Sequence, residues 1–160
     1  MPYSPLVSKI RVHNPNTKKA IFANREYVKY IATREGVSLD SVEETEDVKM
    51  HYGAENTDYL KYIADRPRSH GLFGNIDTED LKKVQNLIAN ETESGKVIYR
   101  GIISLSEKDG EALGFTSSKD WNLYLKKTIP DICKILGISS IDNTWVAAFH
   151  AEQSHPHVHY

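Results

Sequence analysis

The chain has 160 residues, 39% hydrophobic and 26% charged, with a formal charge of −2, which suits one domain with a real core. No apolar run approaches the roughly 20 residues that span a bilayer, and "MPYSPLVSKIRVHN" lacks the continuous apolar stretch of a secretory signal. The single cysteine, Cys133, excludes an intrachain disulfide framework and suits a reducing, cytoplasmic compartment.

Residues 6–13, "LVSKIRVH", carry Val7, Ile10 and Val12 and predict a first strand, with turn chemistry following in "NPNTKK". From Ala20 to Arg34, Ile21, Tyr27, Val28 and Ile31 recur at helical spacing, and Gly36 is a plausible stop. Residues 1–34 hold seven basic side chains against one acid, Glu26, whereas residues 35–60 hold eight acids against Lys49. This segregation is either ordinary surface or a phosphate-facing patch beside a solvated insert at about 38–58. "EYVKYIATR" (26–34) returns as "DYLKYIADR" (58–66). Either the two are helices of similar composition, or both present tyrosines (Tyr27 and Tyr30, Tyr59 and Tyr62) to one site.

"RPRSHGLFGN" has the proline and glycines of a loop. "DTEDLKKVQNLIANETESG" is an amphipathic helix capped by Asp77 or Thr78, with Leu81, Val84, Leu87 and Ile88 on one face. "KVIYRGIISLS" has the β-branched run of a buried strand. The next helix takes Ser117 or Ser118 as cap and points Trp121, Leu125 and Ile129 at the core, and Pro130 should kink or restart it. Cys133, beside Ile132 and Ile135, reads as core. "NTWVAAFHAE" and "HPHVHY" are two further strands. Helices and strands mixed without a βαβ repeat predict an α+β fold: an antiparallel sheet with flanking helices.

Four of the seven histidines fall in the last eleven residues, "HAEQSHPHVHY". On a strand, His157 and His159 share a face, with Val158 opposite. A hairpin back from the preceding strand sets His150 across from them. Three imidazoles with open positions left over are what a catalytic divalent ion needs. Glu152 can orient a ligand imidazole, and His155 belongs to the turn. His13, His51 and His70 are isolated and read as surface or local hydrogen-bonding groups. A solvated histidine-rich end is the bland alternative.

"HAEQSHPHVH" resembles the third motif of conjugative relaxases of the HUH-endonuclease class: a histidine, an acidic residue two positions on, then Pro-His-hydrophobic-His. "REYVKYIATREGV" resembles the first motif of the MobP-like and MobL-like relaxases, in which a tyrosine precedes Ile-Thr or Ile-Ala, and "RPRSHGLFG" is similar to a segment of the MobL-like members. The resemblance implies metal-dependent, strand-specific nicking of origin-of-transfer DNA. Tyr30 would be the nucleophile forming a 5′-phosphotyrosyl link, with Tyr27 and the second tyrosine copy as alternatives. His150, His157 and His159 would hold Mg²⁺ or Mn²⁺, with Zn²⁺ or Ni²⁺ as substitutes. Lys9, Arg11, Lys29 and Arg34, with Arg66, Arg68 and Arg100 as further candidates, would contact the backbone of single-stranded or hairpin DNA. Accessory relaxosome proteins, a coupling protein and no membrane insertion are implied as well. Relaxases of this kind run on past the histidine motif, so residues 1–160 are expected to form the N-terminal portion of a relaxase domain.

Two other readings compete. A histidine-triad nucleotide hydrolase would use His155, His157 and His159, with His157 attacking an α-phosphate and no metal, but it leaves His150 and the tyrosine helix without a task. A relaxase fragment that binds DNA without turnover is the other.

Overall fold

The computed structural model describes residues 6–13, 17–40, 70–139, 143–151 and 156–160. The second tyrosine copy, most of the acidic insert, Arg66, Arg68, His51, Glu152 and His155 lie outside them. Among the described residues, five strands and four helices follow in the order β1 (Val7–His13), α1 (Lys18–Thr33), β2 (Leu72–Gly74), α2 (Leu81–Glu93), β3 (Ile98–Ser104), α3 (Glu107–Leu113), α4 (Ser118–Leu136), β4 (Val146–His150) and β5 (His157–His159). The expected α+β fold with an antiparallel sheet is what forms. The strand order is β1-β3-β5-β4-β2, with every neighbouring pair antiparallel.

Each face of the sheet buries its own apolar cluster. On one face Leu72, Val146 and Ala148 meet Val28, Ile31 and Ala32 of α1 and Val84 of α2. On the other, Phe73, Ala147, Phe149, Val158 and Ile103 meet Trp121, Leu125, Ile129 and Cys133 of α4. The alternation of β4 between these clusters follows from the period of two in a strand. Cys133 is core, as expected, and burial pushes its thiol pKa up.

Local signals set the helix ends. Thr17 caps α1, its side chain accepting from the Ala20 amide. Ser117 caps α4 in a reciprocal pair with Asp120, and Asp40 accepts from the Ser118 amide and hydroxyl, tying the end of the 34–40 segment to that helix. The cap of α2 is Asp80, not Asp77 or Thr78: its carboxylate accepts from the amides of Lys82 and Lys83. Asp77 instead accepts from Glu79 N, and the Thr78 hydroxyl donates to Leu72 O. Pro130 does not interrupt α4, which runs as one helix to Leu136. Pro130 and Lys126 both lie on the exposed side, where water can serve the carbonyl that loses its donor. Two elements go beyond the sequence expectations, the three-residue β2 inside the predicted loop and the seven-residue α3.

The segment after α1 closes on the end of β4. Val37 bridges to His150, Ser38 N donates to Phe149 O at 2.7 Å, and Ala151 N donates to Gly36 O at 2.9 Å. Gly36 takes φ 88°, a left-handed value that suits glycine. Gly71 passes so close to Val37 and the Ser38 carbonyl that a Cβ would collide with both.

Candidate metal centre and nucleophile

In the register of β4 and β5, His150 stands opposite His157 and Ala148 opposite His159. Partners across an antiparallel pair share a face, so all three imidazoles leave the sheet on the side covered by α1. Their ring centroids lie 5.1 Å (150–157), 4.8 Å (150–159) and 5.0 Å (157–159) apart. One ligand-capable nitrogen from each ring falls within 4.8 Å of the others. Ring rotation can close such a set to the roughly 3.5 Å spacing of nitrogens bonded to one ion at about 2.1 Å. The sequence placed these three residues together, and the structure does the same.

Helix α1 organises the rings from above. Its last carbonyls would be orphaned by the end of the helix, and two are taken up by groups around the site. Gly71 N donates to Ala32 O at 2.9 Å, and His150 Nε2 lies 2.9 Å from Ile31 O. A carbonyl partner makes Nε2 the protonated nitrogen of His150 and leaves the Nδ1 lone pair for a metal. The negative end of the α1 dipole also lies here and favours a cation. His150 is fully buried and His159 is 5% exposed, while His157 is partly exposed, so the centre opens on one side only. His159 Nε2 is buried without a hydrogen-bond partner among the described residues. A buried donor set with such an orphaned nitrogen fits a metal ion. Three imidazoles suit Mn²⁺, Zn²⁺ or Ni²⁺ better than Mg²⁺, which prefers oxygen.

Burial, with His150, His157 and Arg34 nearby, pulls the pKa of His159 down to about 3. The unfolded imidazole titrates near 6.5, so between these values the unfolded chain binds a proton that the metal-free fold does not. Stability from this group is therefore complete above about pH 6.5 and is lost on acidification, with a slope approaching about 1.4 kcal/mol per pH unit. Urea unfolding in EDTA between about pH 7 and 5 should show this slope, and His159→Gln should flatten it. An unchanged slope in the variant would contradict the assignment.

The two α1 tyrosines sit differently. Tyr27 reaches inward, its hydroxyl 3.2 Å from His159 Nδ1 and its ring edge-on to the imidazole. Burial raises its pKa, the Arg100 guanidinium opposes that, and Tyr30 adds to it. Tyr30, one turn on, is 50% exposed with the Arg34 guanidinium 5.6 Å from its ring centroid. The same Arg34 guanidinium that faces the Tyr30 ring also disfavours a positive charge on His159.

Basic side chains extend the site sideways. Lys9 pairs with Ile102, which in turn pairs with His159, and Arg11 pairs with Arg100. These rows put Lys9, Arg11 and Arg100 on the histidine face, and Lys29 is exposed on α1. Sequence reasoning missed a polar chain behind Tyr27. Arg100 lies over the Tyr27 ring at 4.1 Å and donates to Asn24 Oδ1 at 2.7 Å, while Asn24 Nδ2 donates to Thr92 Oγ1 at 3.3 Å. The signal was an asparagine in phase with Val28 and Ile31 on the buried stripe of α1. His70 is a local hydrogen-bonding group: its Nδ1 accepts from Leu72 N, and its Nε2 meets Glu79 O at 3.0 Å.

An antiparallel sheet with three clustered histidines facing a tyrosine-bearing helix is a layout suited to metal-assisted phosphoryl transfer. A family model described as MobL relaxases matches residues 5–160, nearly the whole chain, and the protein belongs to that family. It is therefore a DNA relaxase, a DNA-nicking enzyme, and the nucleotide-hydrolase alternative falls away. No curated protein and no solved structure matches the chain in two further comparisons. Among the described residues no helix is long and apolar enough to cross a membrane.

Proposed function

We propose that this relaxase nicks one strand of origin-of-transfer DNA by metal-dependent transesterification, with Tyr30 as nucleophile and His150, His157 and His159 as metal ligands. The observation that carries the reading is the convergence of the three rings on one face beneath the tyrosine helix. When bound, the ion supplies Lewis-acid polarisation of the scissile phosphate and neutralises charge in the transition state. The Tyr30 oxygen attacks phosphorus and the bond to the 3′ oxygen breaks. The phenol proton passes to solvent and a proton reaches the leaving 3′ oxygen. The products are a 5′-phosphotyrosyl link and a free 3′-hydroxyl, and one diester has replaced another, so the step reverses for rejoining.

Tyr30 is favoured over Tyr27 by access and engagement. Half of Tyr30 is open to a substrate, whereas the Tyr27 hydroxyl already meets His159. Lys9, Arg11, Lys29 and Arg34 supply the cationic track for single-stranded or hairpin DNA, a contact to backbone rather than to sequence. Accessory relaxosome proteins and a coupling protein belong to the same reading, through the family. The test is incubation with a labelled oligonucleotide carrying the element's own origin, plus Mn²⁺, followed by a denaturing gel. A covalent protein–DNA band is expected that EDTA and Tyr30→Phe both abolish. A full-strength band from Tyr30→Phe would refute the nucleophile, and a band that survives EDTA would refute the metal.

A further inference from the structure

We propose that Tyr27 is a positioning residue that orients His159 for metal binding by accepting its Nδ1–H, and that Arg100, Asn24 and Thr92 hold Tyr27 in place for that task. The proposal rests on the reading of His150, His157 and His159 as metal ligands.

The argument begins with the two nitrogens of His159. Nδ1 lies 3.2 Å from the Tyr27 hydroxyl, while Nε2 is buried without a hydrogen-bond partner among the described residues. A neutral imidazole has one N–H and one lone pair. Ligation through Nε2 uses the lone pair there, so the ring proton sits on Nδ1 and is donated to the Tyr27 oxygen. The opposite tautomer would aim an N–H at the ion and cannot ligate. His150 solves the same problem with the Ile31 carbonyl. Both acceptors come from α1, four residues apart and on one side of the helix, so one helix sets two of the three ligands.

A phenol orients a ligand only if it is itself held. The Arg100 guanidinium covers the Tyr27 ring at 4.1 Å and donates to Asn24 Oδ1 at 2.7 Å. Asn24 Nδ2 donates to Thr92 Oγ1, whose hydroxyl donates to Ile88 O at 2.8 Å. Asn24 and Thr92 are buried, at 2% and 0% exposure. The chain thus runs from α2 through α1 and β3 to β5, and ends on a metal-binding ring. These hydrogen bonds and the ring contact restrict Tyr27, while Arg100 Nε is buried without a hydrogen-bond partner among the described residues.

Calorimetric titration of Mn²⁺ into the full chain tests this without DNA. Tyr27→Phe, which removes one oxygen, is expected to weaken Mn²⁺ binding by about 10–100-fold, with little change in the melting temperature in EDTA. Raising Mn²⁺ should then restore covalent adduct formation to Tyr27→Phe. Unchanged Mn²⁺ affinity would overturn the proposal, as would an adduct lost at every Mn²⁺ concentration, which would make Tyr27 the nucleophile. Failure of the wild-type chain to bind Mn²⁺ at all would overturn the metal reading itself and this proposal with it. If Tyr27→Phe melts early, the wild-type protein decides: a long-range ¹H–¹⁵N spectrum of the Zn²⁺-loaded chain should show His159 protonated at Nδ1. Protonation at Nε2 would refute the assignment.

Discussion

Replacing His150 with alanine is expected to remove Mn²⁺ binding and to cut adduct formation by more than the roughly 100-fold that losing an outer partner of a ligand can cost. The side chain is fully buried at the end of β4, held between His157 on one side and Val37 on the other. No other described side chain is positioned to replace it in the three-histidine set. The same substitution should also destabilise the metal-free protein. It removes the partner of the Ile31 carbonyl at the end of α1 and opens a void where the ring stood. Together these are worth about 2–4 kcal/mol. His157→Ala provides the contrast, since that ring is partly exposed. It should lose metal affinity with a much smaller loss of stability. Urea unfolding in EDTA beside Mn²⁺ calorimetry separates the two effects, and equal destabilisation by both variants would contradict the burial argument.

The second large effect is expected at Trp121, on the face of the sheet opposite the histidines. Its indole is fully buried against Phe115, Tyr124 and Phe149. Trp121→Ala should cost about 3–5 kcal/mol, a large share of the roughly 5–15 kcal/mol that a domain has. Phe149, next to His150, and Val158, between His157 and His159, pack into this core. A loosened core should therefore weaken Mn²⁺ binding too, although Trp121 is on the opposite face of the sheet from the three histidines. Trp121→Phe should be far milder: it keeps a ring and removes an indole N–H that is buried without a partner among the described residues. Equilibrium urea unfolding measures the difference, and equal losses for alanine and phenylalanine would argue against a packing origin.

What was legible from the sequence follows the range of the physics involved. The period of two in "HPHVH" puts His157 and His159 on one face, and a hairpin returns them to His150, so the histidine cluster could be read from about ten residues. The stripes of α1, α2 and α4 were readable for the same reason. Short elements were not: β2 has three residues and α3 seven, too few for a period to show. "DTED" offers several caps within four residues, and only the geometry selects Asp80. The order β1-β3-β5-β4-β2 leaves no local trace. Neither does the Tyr27–His159 contact, which joins residues 132 apart. A helical pattern puts Tyr27 and Tyr30 on one side, but only tertiary packing sets one against a histidine and leaves the other half exposed.

Peptide mapping of the covalent adduct tests the central claim most directly. Trypsin cuts after Arg25, Lys29 and Arg34, so Tyr27 falls in "EYVK" and Tyr30 in "YIATR". Around the repeat at 58–66 trypsin cuts after Lys49, Lys61 and Arg68, since Pro67 protects Arg66, and yields "MHYGAENTDYLK" and "YIADRPR", both of different mass. Mass spectrometry of protein reacted with origin oligonucleotide and Mn²⁺, then digested with trypsin and nuclease, should find a 5′-linked nucleotide on "YIATR". A nucleotide on "EYVK" or on either repeat peptide, or cleaved DNA with no modified peptide, would contradict it.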